Sequence, residues 1–134
     1  MMPARFASPR ALLGAGAAAF GTVGVAALFL PAEFASVAGL PAGHDILFQL
    51  IAAGCLTIAA LNWSGRGAVY GAIYGRAIVL ADFAFGVVGG GSLVSAQVRG
   101  AVSASTWALT GLFVLHTVGF ARLLFAAPDP PRSG

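Results

Sequence analysis

The sequence predicts an all-α integral membrane protein, a four-helix bundle whose helices each cross the bilayer. Two observations predict the class and a third the topology. The chain of 134 residues is 59% hydrophobic and 8% charged, with a mean hydropathy of +0.93. Four long apolar runs alternate with connections rich in glycine or proline. Six of the seven arginines fall on one side of a four-span arrangement. A soluble domain of this size needs a largely polar surface, and seven basic and four acidic residues are too few to supply it. Lipid removes that need by acting as the solvent.

The first run, 11–30, rises about 30 Å as a helix, the thickness of the hydrocarbon core. Arg5 and Arg10 precede it, which also suits a signal peptide with Ser36-Val37-Ala38 as its cleavage site. The run exceeds a usual signal-peptide core, so an uncleaved first span is the favoured reading. The second run covers 46–63, the third 77–98 with one acid inside, and the fourth 104–121. Pro31 to Asp45, Ser64 to Arg76 and Arg99-Gly100 read as the connections. Residues 1–127 form a single domain, and 128–134, rich in proline, read as a disordered tail.

Positively charged loops are retained in the cytoplasm. Arg5, Arg10, Arg66, Arg76, Arg122 and Arg132 lie on one side of the four spans, with only Arg99 opposite. Both termini are therefore expected in the cytoplasm, in a cytoplasmic (inner) membrane. Trp63 with Tyr70 or Tyr74 suits one interfacial belt and Trp107 the other. The basic residues are dispersed and form no run, which excludes a nucleic-acid surface despite the net charge of +3.

The chain also repeats itself at an offset of 65 residues. Ala19-Phe20-Gly21, Val23-Gly24 and Leu28 recur as Ala84-Phe85-Gly86, Val88-Gly89 and Leu93. Leu47-Phe48, Leu50 and Gly54 recur as Leu112-Phe113, Leu115 and Gly119. This implies two duplicated helical hairpins. Asp82 then corresponds to Ala17 and His116 to Ile51, so polarity is concentrated in the second half.

Small residues four apart let helices approach closely in lipid. Gly86 and Gly90 form such a pair in the third span, Ala17 and Gly21 a weaker one in the first. They serve either packing within the bundle, the favoured reading, or contact with a second copy. Cys55, the single cysteine, reads as a small buried residue.

Asp82 and His116 are the strongly ionisable residues within the spans, and such residues face the bundle interior or water. Asp82 follows Arg76, and His116 precedes Arg122, by the same number of residues. Both therefore lie about 9 Å inside the arginine level and are expected to meet. Asn62 and Arg76 complete the candidate polar site, with Thr57 and Gln49 as further hydrogen-bonding groups on the second span. A carboxylate beside an imidazole is proton-responsive, since each favours the charged form of the other while burial opposes both charges. One Asp and one His are too few for a metal site, and neither a cofactor motif nor an activated nucleophile is evident.

Leu61-Asn62-Trp63, a basic turn, Gly75-Arg76-Ala77-Ile78 and a His-bearing last span together resemble the small bacterial four-helix membrane proteins of the broad DoxX-like kind. The resemblance implies a four-helix membrane fold and no particular activity. The sequence reads foremost as a non-enzymatic accessory or packing component of the membrane. Its partners would be the lipid bilayer and a second copy or another membrane protein. The alternative is a small proton-linked or solute transporter using the Asp82/His116 pair.

Overall fold

In the computed structural model, which describes residues 8–67 and 73–125, the described chain is built of helices joined by short connections. Helix α1 runs Pro9–Phe29, α2 Pro31–Ala38, α3 Asp45–Gly65, α4 Ile73–Val98 and α5 Trp107–Phe125, the last entered through a 3₁₀ turn at Ala104–Thr106. α1, α3, α4 and α5 contain the predicted spans, and each is long and apolar enough to cross a membrane. Arg5, Tyr70, Arg132 and the tail 128–134 lie outside the described residues.

Local chemistry sets the helix ends. The Ser8 hydroxyl accepts a hydrogen bond from the Ala11 amide, and Pro9 occupies the first turn of α1, where its missing N–H costs nothing. Pro31 bars Leu30 from helical geometry and ends α1. The same proline starts α2, so the connection read as a turn contains a helix of 8 residues. Gly39 closes it in the left-handed conformation at φ 75°, with the Leu40 amide bonded back to Ala35. Gly100, at φ 65°, closes α4 in the same way.

The four long helices alternate in direction around a ring. Within each hairpin, α1 with α3 and α4 with α5, the backbones run close together; between hairpins they stand farther apart. Glycine permits the close approach. A Cβ on Gly24 would stand 3.2 Å from the Ala52 carbonyl oxygen and 2.8 Å from Leu56 Cγ. One on Gly86 would overlap the Thr117 hydroxyl and stand 3.2 Å from its Cα. Gly86 and Gly90 thus face α5, and Gly21 faces Ala59 of α3. Ala17 is buried as well.

The facing residues also locate where the repeat changes register. At an offset of 65 the pair Gly24 and Leu56 would become Gly89 and Ala121, yet Gly89 packs on Phe113, about two helical turns earlier. α1 and α4 correspond at that offset, while α5 is displaced relative to α3. The first hairpin carries α2 in its connection and the second has only the short turn after Gly100, so the second hairpin closes sooner.

Large apolar side chains fill the space between hairpins. Phe20, Cys55, Ile58, Ala59 and Phe113 form one layer, and Leu13, Val79 and Phe120 a second layer nearer the arginines. The outer surface is apolar too, with Phe29, Leu50, Val88, Leu115 and Phe125 exposed. On a soluble protein such a surface would aggregate; in a bilayer it meets acyl chains. The chain is a multi-pass membrane protein.

Gly86→Ala and Gly24→Ala are expected to destabilise the bundle by about 1–3 kcal/mol each through overpacking. Gly14→Ala and Gly111→Ala, where an added Cβ meets nothing within 4 Å, should be neutral or stabilising. Unfolding in mixed micelles measures the contrast. Equal effects at all four positions would contradict the packing described.

Candidate functional site

Three polar side chains from three helices converge between the two apolar layers: Asn62 of α3, Asp82 of α4 and His116 of α5. Their relative exposures are 0%, 0% and 6%, so all three are removed from both lipid and water. The register is that expected from the arginines. Arg10, Arg66, Arg76 and Arg122 each lie between this level and the same end of the bundle.

Asn62 Nδ2 donates to Asp82 Oδ1 over 2.7 Å, linking the first hairpin to the second. The amide orientation follows from chemistry, since the reverse would set a carbonyl oxygen against a carboxylate. His116 Nε2 stands 3.1 Å from the same Oδ1, within ion-pair distance. The two atoms form no hydrogen bond, so Nε2 keeps its hydrogen-bonding capacity unused. Asn62 Oδ1 and Asp82 Oδ2 are likewise buried without a partner. The cluster therefore holds two unused acceptors and one ring nitrogen that accepts or donates according to its protonation.

The first helix contributes space and an aromatic wall. A Cβ on Gly16 would press on Asn62 Nδ2 at 2.9 Å and lie 3.6 Å from His116 Cε1. Phe20 packs edge-on against the imidazole at 4.7 Å between ring centroids, and Phe120 lies against it at 4.5 Å. Gly86 leaves room on the α4 side, where a Cβ would come within 3.3 Å of His116 Cδ2. All four long helices thus shape one polar point.

Asp82 and His116 meet as expected, and Asn62 joins them more directly than its sequence position suggested. Arg76 does not. It is exposed near the start of α4, roughly 9 Å along the helix from Asp82, with the Val79 layer between. Gln49 and Thr57 are exposed, and the Thr57 hydroxyl donates back to the Ala53 carbonyl. The segment around Tyr70 lies outside the described residues, while Ile73 to Gly75 belong to the start of α4. Gly16 and Phe20 carry no mark of a site in the sequence, because glycine and phenylalanine recur throughout the spans. Among the described residues no three His, Cys, Asp or Glu side chains come together as a metal site would require.

The fold and site define a class: a multi-pass four-helix membrane bundle with an ionisable cluster buried between its two hairpins. No family model matches the sequence, and no curated protein or solved structure matches it either.

A double-mutant cycle over Asn62→Ala and Asp82→Ala should give a coupling energy of about 1–2 kcal/mol, at the upper end for hydrogen bonds inside membrane proteins. Asn62→Ala alone should cost more than that coupling, because it also strands the carboxylate. Strictly additive losses would contradict a direct Asn62–Asp82 bond.

Proposed function

We propose that this protein is a small proton-linked carrier in which the Asn62–Asp82–His116 cluster takes up and releases a proton as the two hairpins shift against each other. The observation that carries this reading is the burial of three convergent polar groups that retain unused hydrogen-bonding capacity. A purely structural clamp gains nothing from stranded acceptors, each of which costs on the order of 1–3 kcal/mol when left unpaired. A cluster that alternates between protonation states needs spare capacity, because gaining or losing a proton changes which atoms donate and which accept.

The packing supports movement at this level. Each hairpin is closely joined within itself, and the boundary between hairpins is wider and filled by side chains, the kind of surface along which packed helices shear. The cluster spans that boundary, so its protonation state sets how strongly the hairpins are held together. The glycine pairs that suggested an accessory subunit are occupied inside the bundle, which lessens the support for that reading. The asymmetric arginine distribution supports an orientation with both termini on the cytoplasmic side of the membrane. The resemblance to DoxX-like proteins agrees with this setting and adds no activity.

Proton binding is directly countable. Potentiometric titration of the detergent-solubilised protein, over the range in which it stays folded, should show the wild type exchanging at least one proton more than a variant that carries both Asp82→Asn and His116→Gln. Superimposable titration curves would make the cluster a fixed packing clamp and return the protein to the accessory-component reading.

A further inference from the structure

A second set of polar contacts joins the hairpins, at the end of the bundle away from Arg10, Arg66, Arg76 and Arg122. A helix leaves its last four carbonyls without partners inside itself. In α2 these belong to Ala35, Ser36, Val37 and Ala38, and they are satisfied in two ways. The Gly39 and Leu40 amides turn back onto Ala35 and Ser36. Val37 and Ala38 are capped from the other hairpin. The Ser103 amide donates to the Ala38 carbonyl over 3.0 Å, and the Ser103 and Ser105 hydroxyls both donate to that of Val37.

Both sides of this clasp are firmly mounted. α2 is held to the first hairpin, because Ala35 and Ala38 pack with Phe48 of α3. Ser103 is held to the second, because Gln97 at the end of α4 donates to the Ser103 carbonyl and to the Thr106 hydroxyl. Gly39 admits the contact, since a Cβ there would lie 3.3 Å from that of Ser103. Hydroxyls and peptide groups make the clasp, and Glu33, His44, Asp45 and Arg99 at the same end take no part in its bonds. Unlike the buried Asn62–Asp82 bond, it stands at the bundle surface, where water replaces each bond as it breaks.

Behind the clasp, the buried face of α5 and of the 3₁₀ turn before it leads to the cluster. It carries Thr106, Thr110, Phe113 and His116, whose spacings of four, three and three keep them on one side of a helix. Thr110 stands roughly 9 Å along the helix from His116. Each threonine hydroxyl donates to a carbonyl of its own segment and keeps a lone pair that accepts from water. On the arginine side of His116 the same face continues with Phe120. The polar lining of this face therefore runs from the cluster toward the clasp.

We propose that the Ser103/Ser105 clasp on α2 is the outer gate of the cluster, and that its release admits water along Thr106 and Thr110 to the rings of Phe20 and Phe113 beside His116. This deepens the carrier reading and rests on it, since a carrier keeps one end shut while its site is open to the other. Closed, the clasp holds the two hairpins together at the outer end. Released, it lets them part there, with the Asn62–Asp82 bond as the remaining polar link across the boundary.

Protein in sealed liposomes that enclose a pH-sensitive dye, driven by a potassium diffusion potential, reports the passage of protons. A variant carrying Ser103→Ala and Ser105→Ala should leak about fivefold faster than the wild type, the factor of roughly one hydrogen bond lost from the closed state. Adding Asp82→Asn should return the leak to the wild-type rate, and adding Thr110→Val, which keeps the shape and removes the hydroxyl, should lower it. No increase in the clasp variant overturns the proposal. So does an increase that Asp82→Asn or Thr110→Val leaves in place, because the bundle is then loosened generally. Amide hydrogen exchange of the wild type needs no variant to fold. The Ser103 amide should exchange more slowly than an unstructured amide and faster than the buried amides around Asn62, as a contact that opens on its own does. Exchange at either extreme, an open connection or a permanent tie, rules the gate out. The proton count keeps the two readings apart: a wild type that exchanges the proton of the cluster, while the clasp variant leaks no faster, loses this inference alone.

Discussion

The rest of the structure depends on how a carboxylate can be held inside a bundle that has lipid on one side and aromatic rings on the other. Asp82 is fully buried. Its tolerable surroundings are a donor and a cation-forming neighbour, supplied by Asn62 of the opposite hairpin and His116 of its own. Those contacts set the depth at which three helices must meet. The glycines at 16 and 86 follow from the same demand, because a side chain at either position would press on the amide or the imidazole. The apolar layers above and below then exclude solvent from the contact and strengthen it.

Helix association in lipid gains nothing from hiding apolar surface, since acyl chains are as apolar as leucine. Close packing and polar contacts carry the assembly instead, and the chain divides these tasks. Small residues bring helices together within each hairpin, where Gly24 meets α3 and Gly86 and Gly90 meet α5. Between hairpins, Phe20 spans the gap to Phe85 and Phe113, and edge-to-face ring pairs of this kind contribute about 0.5–1.5 kcal/mol each. The polar cluster sits on that boundary. Its state is therefore coupled to the relative position of two units that are each firmly built.

The spans were legible in the sequence because bilayer thickness and hydropathy constrain them strongly, and the depth of Asp82 and His116 because arginines mark the interface. Which face each helix turns inward was much less legible. Lipid-facing and core-facing residues are both apolar here, so the periodicity that betrays an amphipathic helix in water is missing. Only a polar residue reveals a direction, as Asp82 does; Gly16 and Phe20 have no such mark. α2 was hidden by its prolines, which read as turn signals although one of them starts a helix. Position along the chain puts Arg76 near the site, but its exposed side chain lies beyond the Val79 layer. The register shift in the repeat is invisible to an ungapped comparison, which assumes connections of equal length.

Asp82 and His116 are in direct contact inside the bundle, beside the seam that Asn62 closes. Solid-state NMR on protein reconstituted in lipid, with ¹⁵N in the imidazole and ¹³C in the aspartate carboxyl groups, measures it through dipolar recoupling. The structure, with Nε2 and Oδ1 3.1 Å apart, predicts a strong coupling from His116 Nε2 to the Asp82 carboxyl carbon that disappears in Asp82→Leu. A wild-type protein lacking that coupling, or an Asp82 carboxyl in contact with bulk water, would contradict the account.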